Sequence, residues 1–198
     1  MLKISITGGI SSGKTTVTEY LSRNKNVFIF NADKESKRHL KNSISIQKKL
    51  IHIFSDKIIK NKKIDFNLLA KEAFSNSTNH KILNGILWPE VYILINNAFE
   101  YAKKNNYKLF IVDAALIFEA NFSSFFDKNI LLITNKDKRI KRAIKRSNIP
   151  LESIQNRMRL QMSDNKKKKL SDIIIHNNDD IKSLYKKIDK LYEKLILL

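Results

Sequence analysis

The sequence predicts an α/β fold with a five-stranded parallel sheet flanked by helices. Three observations carry this. Five short runs, at 2–7, 27–30, 108–113, 129–134 and 172–176, are apolar and rich in β-branched or aromatic residues, the pattern of strands covered on both faces. Helical periodicity separates them, which gives a β-α-β-α order. A glycine-bearing turn, Gly8-Gly9-Ile10-Ser11-Ser12-Gly13-Lys14-Thr15, joins the first strand to the first helix.

That turn has the form of a phosphate-binding loop: Gly8, four residues, then Gly13-Lys14-Thr15. Glycines allow the dihedrals that aim successive backbone N–H groups at an anion. Lys14 can reach the β- and γ-phosphates, and the Thr15 hydroxyl can ligate Mg²⁺. The helix that follows points its positive end at the same anion. A nucleoside triphosphate with Mg²⁺ is the expected ligand. Its expected contacts are Gly9, Ser11, Ser12, Gly13, Lys14, Thr15 and Thr16.

The spacing of the strands predicts two insertions. Nearly eighty residues separate the second and third strands, whereas a crossover needs only one helix. Helices are expected at 34–41, 44–54 and 65–74, with a long one ending near Lys104. Loops are expected at Asn61-Lys62-Lys63 and Ser75-Asn76-Ser77. The surplus should form a helical lobe, 34–104, overhanging the sheet edge. After the fourth strand, helices at 137–146 and 151–162 meet at Ile149-Pro150. The core is left as 1–33, 105–135 and 170–198, all within one domain. The last helix carries Ile181, Leu184, Tyr185, Ile188, Leu191, Tyr192 and Leu195 at helical spacing, a core-facing stripe.

A net charge of +19 and a pI near 10 suggest a nucleic-acid partner at first sight. The basic residues are mostly lysine, with 7 arginines among the 38. Abundant Asn and Ile point to a codon bias that spreads lysine over the surface. No aromatic-interleaved basic patch is present, so no specific nucleic-acid partner is expected. The tract Lys166-Lys167-Lys168-Lys169 reads as a solvated helix face or loop. Cysteine is absent, which excludes disulfides and thiolate metal sites. The four histidines show no metal-ligand spacing. No apolar run is long enough to span a bilayer, and the chain opens directly on a strand. No membrane association is expected, no signal peptide, and a cytoplasmic address.

The arginines are distributed differently. Arg139, Arg142, Arg146, Arg157 and Arg159, five of the seven, fall within about twenty residues. Arginine's planar fork grips phosphate, so at least one is expected to contact phosphate. Two aspartates sit at strand ends, where ligands of open α/β sheets bind. Asp33 follows the second strand and is a candidate to accept a hydroxyl proton; a helix cap is its other reading. Asp113 ends the third strand and is the candidate to support Mg²⁺ or to contact substrate. Glu119 lies in the loop after it. Trp88, before Pro89, reads as core packing, with an adenine platform as its other reading.

These residues resemble the dephospho-coenzyme A kinase family. The resemblance runs through Thr7-Gly8-Gly9-Ile10 with Gly13-Lys14 and Val17, then Asn31-Ala32-Asp33. It continues with Leu83-Asn84, Ile86-Leu87 and Pro89, then Val112-Asp113, Leu116 and Phe118-Glu119. Arg142, Arg146, Arg157 and Gln161-Met162 resemble the family's lid, here 136–165. Ser171-Asp172, Ile174 and Asn177 resemble its closing element. The chain departs from the family at Ser11, Asn31, Trp88, Ala115 and Ser147, where the family has glycine, aspartate, histidine, proline and aspartate. The resemblance implies a P-loop NTPase fold with a helical substrate lobe and an arginine-bearing lid. It implies transfer of the ATP γ-phosphoryl group to the ribose 3′-hydroxyl of dephospho-coenzyme A. Asp33, Lys14 and Arg142 would be the catalytic residues, and Thr15 and Asp113 the metal-associated ones. A P-loop kinase of another nucleotide is the alternative.

Overall fold

The computed structural model describes residues 1–146 and 150–198. Ser147 and Ile149, named above, lie outside the described residues. The chain divides into two compact units, Met1–Asp33 with Ile95–Leu198, and Lys34–Leu94.

The first unit is built on five strands: β1 (Leu2–Gly8), β2 (Val27–Asn31), β5 (Leu109–Asp113), β6 (Lys128–Ile133) and β7 (Ile173–His176). They form one parallel sheet in the order β2-β5-β1-β6-β7. All five predicted strands are therefore present, shifted by at most a residue or so at their ends. The burial of β5 on both faces explains its unbroken apolar run. Helix α1 (Lys14–Leu21) and helix α9 (Ile181–Ile196) cover one face. Val17, Leu21, Leu184, Ile188, Leu191 and Leu195 pack there on Ile4, Ile6, Ile111, Ile130 and Leu132. Phe28, Phe110, Phe99 and Phe125 form an aromatic chain, with Phe99 edge-on to Phe110 at 5.5 Å.

The second unit holds most of α2 (Ala32–Asn42), then α3 (Ile44–Phe54), a two-residue hairpin of β3 (Ile59–Lys60) and β4 (Lys63–Ile64), α4 (Phe66–Ala73) and the first part of α5 (Ser77–Lys104). The loop expected at 61–63 is the turn of this hairpin, with Lys63 already in β4. Asn61 and Lys62 both take positive φ, 52° and 61°, the dihedral sign of a tight hairpin turn. Ser43 caps α3 and Asp65 caps α4 through their side-chain oxygens. Leu40, Ile46, Leu50, Phe54, Ile58, Leu69 and Leu83 make this unit's own core. Pro89 stands inside α5. It cannot donate to the carbonyl four residues back, that of Gly85, and Gly85 is exposed.

Between β6 and β7 lie α6 (Lys136–Arg146), α7 (Leu151–Arg159) and α8 (Asp164–Leu170). The sequence reading had two helices here. The third is made of the lysine tract, capped by the Ser163 side chain on the Lys166 N–H.

Candidate functional site

Parallel pairing fixes which strand ends meet. Asn31 of β2 is level with Asp113 of β5, and Asp113 is level with Ile6 of β1, two residues before Gly8. The carboxyl edge of the sheet thus presents Asn31, Asp113 and the start of the loop side by side.

The loop leaves β1 at Gly8 and enters α1 at Lys14. Gly13, the residue before the helix, has φ 102°, accessible at low cost only to glycine. A Cβ there would also lie 2.3 Å from the Asn177 side-chain nitrogen. That nitrogen donates to Ser12 O at 2.8 Å, and the Thr134 hydroxyl lies 3.0 Å from the same oxygen. Ser12 N donates to Gly9 O at 3.1 Å. The loop is thus pinned from β6 and from the end of β7. Ser11, where the family has glycine, takes φ 58°, a left-handed region that glycine enters most readily. No side chain caps α1, so its first N–H groups, near Thr15 and Thr16, remain a site for an anion.

Lys14 is 9% exposed, and its Nζ donates to Gly8 O at 2.8 Å and Gly9 O at 3.3 Å. Burial pulls its pKa below the usual lysine range; Asp33 and then Asp113 oppose that pull. Asp113 is 2% exposed. Burial pushes its pKa above the carboxylate range, and Lys14 opposes this. Asn31 donates to Asp113 Oδ2 at 3.1 Å, and the Thr18 hydroxyl lies 3.4 Å from the same oxygen. Asp33 is an exposed residue in the first turn of α2. Of the charges acting on Lys14, Asp33 is the strongest. Lys14, Asp33 and Asp113 are therefore brought together.

The arginines separate by position. Arg142 is half-buried and its Nη2 lies 3.5 Å from Asn177 O. Arg139 rests on the loop itself: a Cβ built on Gly9 would fall 1.7 Å from its Nη1. Arg146 is exposed, and its charge acts on Asp113. Arg157 is half-buried, and burial lowers its pKa. Gln161 Oε1 accepts the Ile10 N–H at 3.1 Å, so the segment after α7 touches the loop too.

One expectation is corrected. Lys167 is not solvated; it is fully buried, donating to Ala115 O at 2.8 Å and pairing with Glu119 Oε1 at 3.0 Å. Glu119 Oε1 also accepts the Met162 N–H at 2.8 Å. Thr18, Lys167 and Arg139 were not singled out as site residues. Thr18 was recoverable, since it lies one turn beyond Lys14. The partners of the other two are remote in sequence.

Among the described residues no cluster of three or more His, Cys, Asp or Glu side chains could hold a metal by itself. No described helix is long and apolar enough to cross a membrane.

A model of the dephospho-CoA kinase family matches residues 2–183. The chain belongs to the dephospho-CoA kinase family. It is 34% identical over 193 residues to the dephospho-CoA kinase of Fusobacterium nucleatum, covering 97% of each chain. The solved dephospho-CoA kinase of Campylobacter jejuni superimposes with a TM-score of 0.68 at 27% identity, over 98% of this chain and 96% of that one. A Thermus thermophilus structure gives 0.79 at 24% identity, over 98% and 97%, a likeness of fold. The sheet and its loop are thus those of a P-loop kinase.

Proposed function

We propose that this chain transfers the γ-phosphoryl group of ATP to the ribose 3′-hydroxyl of dephospho-coenzyme A, giving coenzyme A and ADP. One observation supports this most: Lys14, Asp33 and Asp113 converge beside an uncapped helix start in a chain of this family. Phosphoryl transfer needs positioning, charge neutralisation and a carboxylate beside the attacking hydroxyl. The loop N–H groups of Gly9 to Thr16 orient the triphosphate. Lys14 leaves the carbonyls of Gly8 and Gly9 for the β- and γ-oxygens. Asp33 accepts the proton of the acceptor hydroxyl. Arg142 approaches the phosphates, and the 136–165 segment covers them, excluding water that would otherwise be the acceptor. The 34–104 segment is assigned to the acceptor.

Mg²⁺ suits the donors present. Thr15 and Asp113 offer hard oxygens, too few to cage an ion, which is how Mg²⁺ shared with phosphates is bound. Asp113, buried with a raised pKa, is a carboxylate in want of a cation. Thr15 and Asp113 would hold the ion, which when bound supplies charge neutralisation on the phosphates.

The test is ADP release in a coupled assay with Mg·ATP. Dephospho-coenzyme A should stimulate it strongly. Stimulation by another nucleotide or nucleoside in its place would replace the acceptor, and Lys14→Ala should remove the activity.

A further inference from the structure

Arg139 lies against the phosphate loop, and its hydrogen bonding is incomplete. Its side chain is 13% exposed, and Nη2 pairs with Asp164 Oδ2 at 3.1 Å. Its Nε is buried and has no partner among the described residues. Its Nη1 lies close over Gly9: a Cβ built there would fall 1.7 Å from it, so the guanidinium would have to move to admit one. A buried guanidinium donor left unpaired costs free energy that a ligand oxygen would recover.

Its location identifies the oxygen. Lys14 Nζ rests on the carbonyls of Gly8 and Gly9, and the lysine of such a loop serves the β- and γ-phosphates. Arg139 rests on the same Gly9. Two cations therefore stand at one end of the polyphosphate site, and each adds to the other's repulsion there. Arg142, three residues on along α6 and so on the same helix face, reaches instead to Asn177, behind Ser12 and Gly13.

We propose that Arg139 is a terminal-phosphate contact of this chain, and that Asp164 competes with that phosphate for its guanidinium. The inference rests on the reading of the loop as a nucleoside triphosphate site. Asp164 opens α8, where the helix end stabilises its charge without the arginine. It can therefore release Arg139 at little cost, and the guanidinium turns from one oxyanion to another.

The sign of two variants tests this in equilibrium binding of Mg·AMP-PNP and Mg·ADP. Arg139→Gln should weaken Mg·AMP-PNP by about 10- to 100-fold, the loss of a charge-assisted hydrogen bond. It should change Mg·ADP binding far less. Asp164→Asn should tighten Mg·AMP-PNP, because the competitor is gone. A purely structural ion pair predicts the reverse for the second variant, with both variants weakening both nucleotides. Either that result or equal losses for the two nucleotides in Arg139→Gln overturns the proposal. Asp164→Asn carries the test by itself if Arg139→Gln does not fold. Wild-type protein that binds neither nucleotide would sink the nucleotide reading of the loop, and this proposal with it.

Discussion

Lys167 Nζ, without solvent exposure, meets Glu119 Oε1 at 3.0 Å. The same oxygen holds the Met162 N–H, and the same lysine holds Ala115 O, to which the Thr7 hydroxyl also donates. One buried ion pair thus ties α8 and the end of the α7 segment to the turn after β5 and to β1. Its charges lie close enough to the loop for Lys167 to depress the Lys14 pKa further.

Removing one member leaves the other charge buried. Lys167→Met should cost about 3 kcal/mol, the lower end for a broken buried pair, because Glu119 keeps 13% exposure. At about 2–4 °C per kcal/mol for a chain of this size, Tm should fall by roughly 6–12 °C. The double variant Glu119→Gln, Lys167→Met should lose much less. Calorimetry of Lys167→Met, Glu119→Gln and the double variant measures this, and a double-variant loss equal to the sum of the two single losses would show the pair to be uncoupled.

Asp33 is exposed, lies in the first turn of α2 and acts on Lys14 more strongly than any other charge. As the proposed base, Asp33→Asn should lower kcat by about 10²–10⁴-fold and leave the KM for ATP near its wild-type value. It should also let burial pull Lys14 down further, moving the alkaline fall of activity to lower pH. Unchanged kcat in steady-state assays would remove Asp33 from the chemistry.

The sheet was legible because parallel strands buried on both faces must be apolar throughout, as β5 is. The loop was legible because its glycines and lysine answer to local backbone geometry. What stayed hidden depends on partners far along the chain. Four consecutive lysines look alike in sequence; only the fold turns Lys167 toward Glu119 while its neighbours stay in water. Arg139 read as one of five arginines, since nothing local marks Gly9 and Asp164 as its neighbours. The β3–β4 hairpin has two-residue strands, too short for any alternation to show, and its Asn61-Lys62 turn lacks glycine.

The two buried charges of the site titrate in opposite senses. Asp113 holds its proton to higher pH when folded than when unfolded. Its contribution to stability is therefore present at low pH and lost as pH rises from the ordinary carboxylate range through its raised value. Lys14 gives up its proton earlier when folded, so stability is lost as pH falls from the ordinary lysine range through its lowered value. Mg·ATP favours the ionised aspartate and the protonated lysine. Affinity for Mg·ATP should rise with pH through the Asp113 window and fall through the Lys14 window. Asp113→Asn should erase the acid limb beyond what the nucleotide's own titration causes. Parallel acid limbs in wild type and variant, read by isothermal titration at several pH values, would contradict this.

Ser11 takes φ 58° in a loop whose other positive-φ positions, Gly8 and Gly13, are both glycine. A Cβ in that region costs about 1–2 kcal/mol. Ser11→Gly relieves this but returns about 0.4–1 kcal/mol through the freer unfolded chain. The net gain should be at most about 1.6 kcal/mol, a Tm rise of no more than roughly 3–6 °C. The larger effect should fall on nucleotide binding, since the loop no longer needs its neighbours to hold Ser11 in place and can settle more closely around the phosphates. A lower KM for ATP with a slightly higher Tm is the expected pair. A lower Tm would mean that the Ser11 side chain contributes more to the folded loop than its backbone strain takes away.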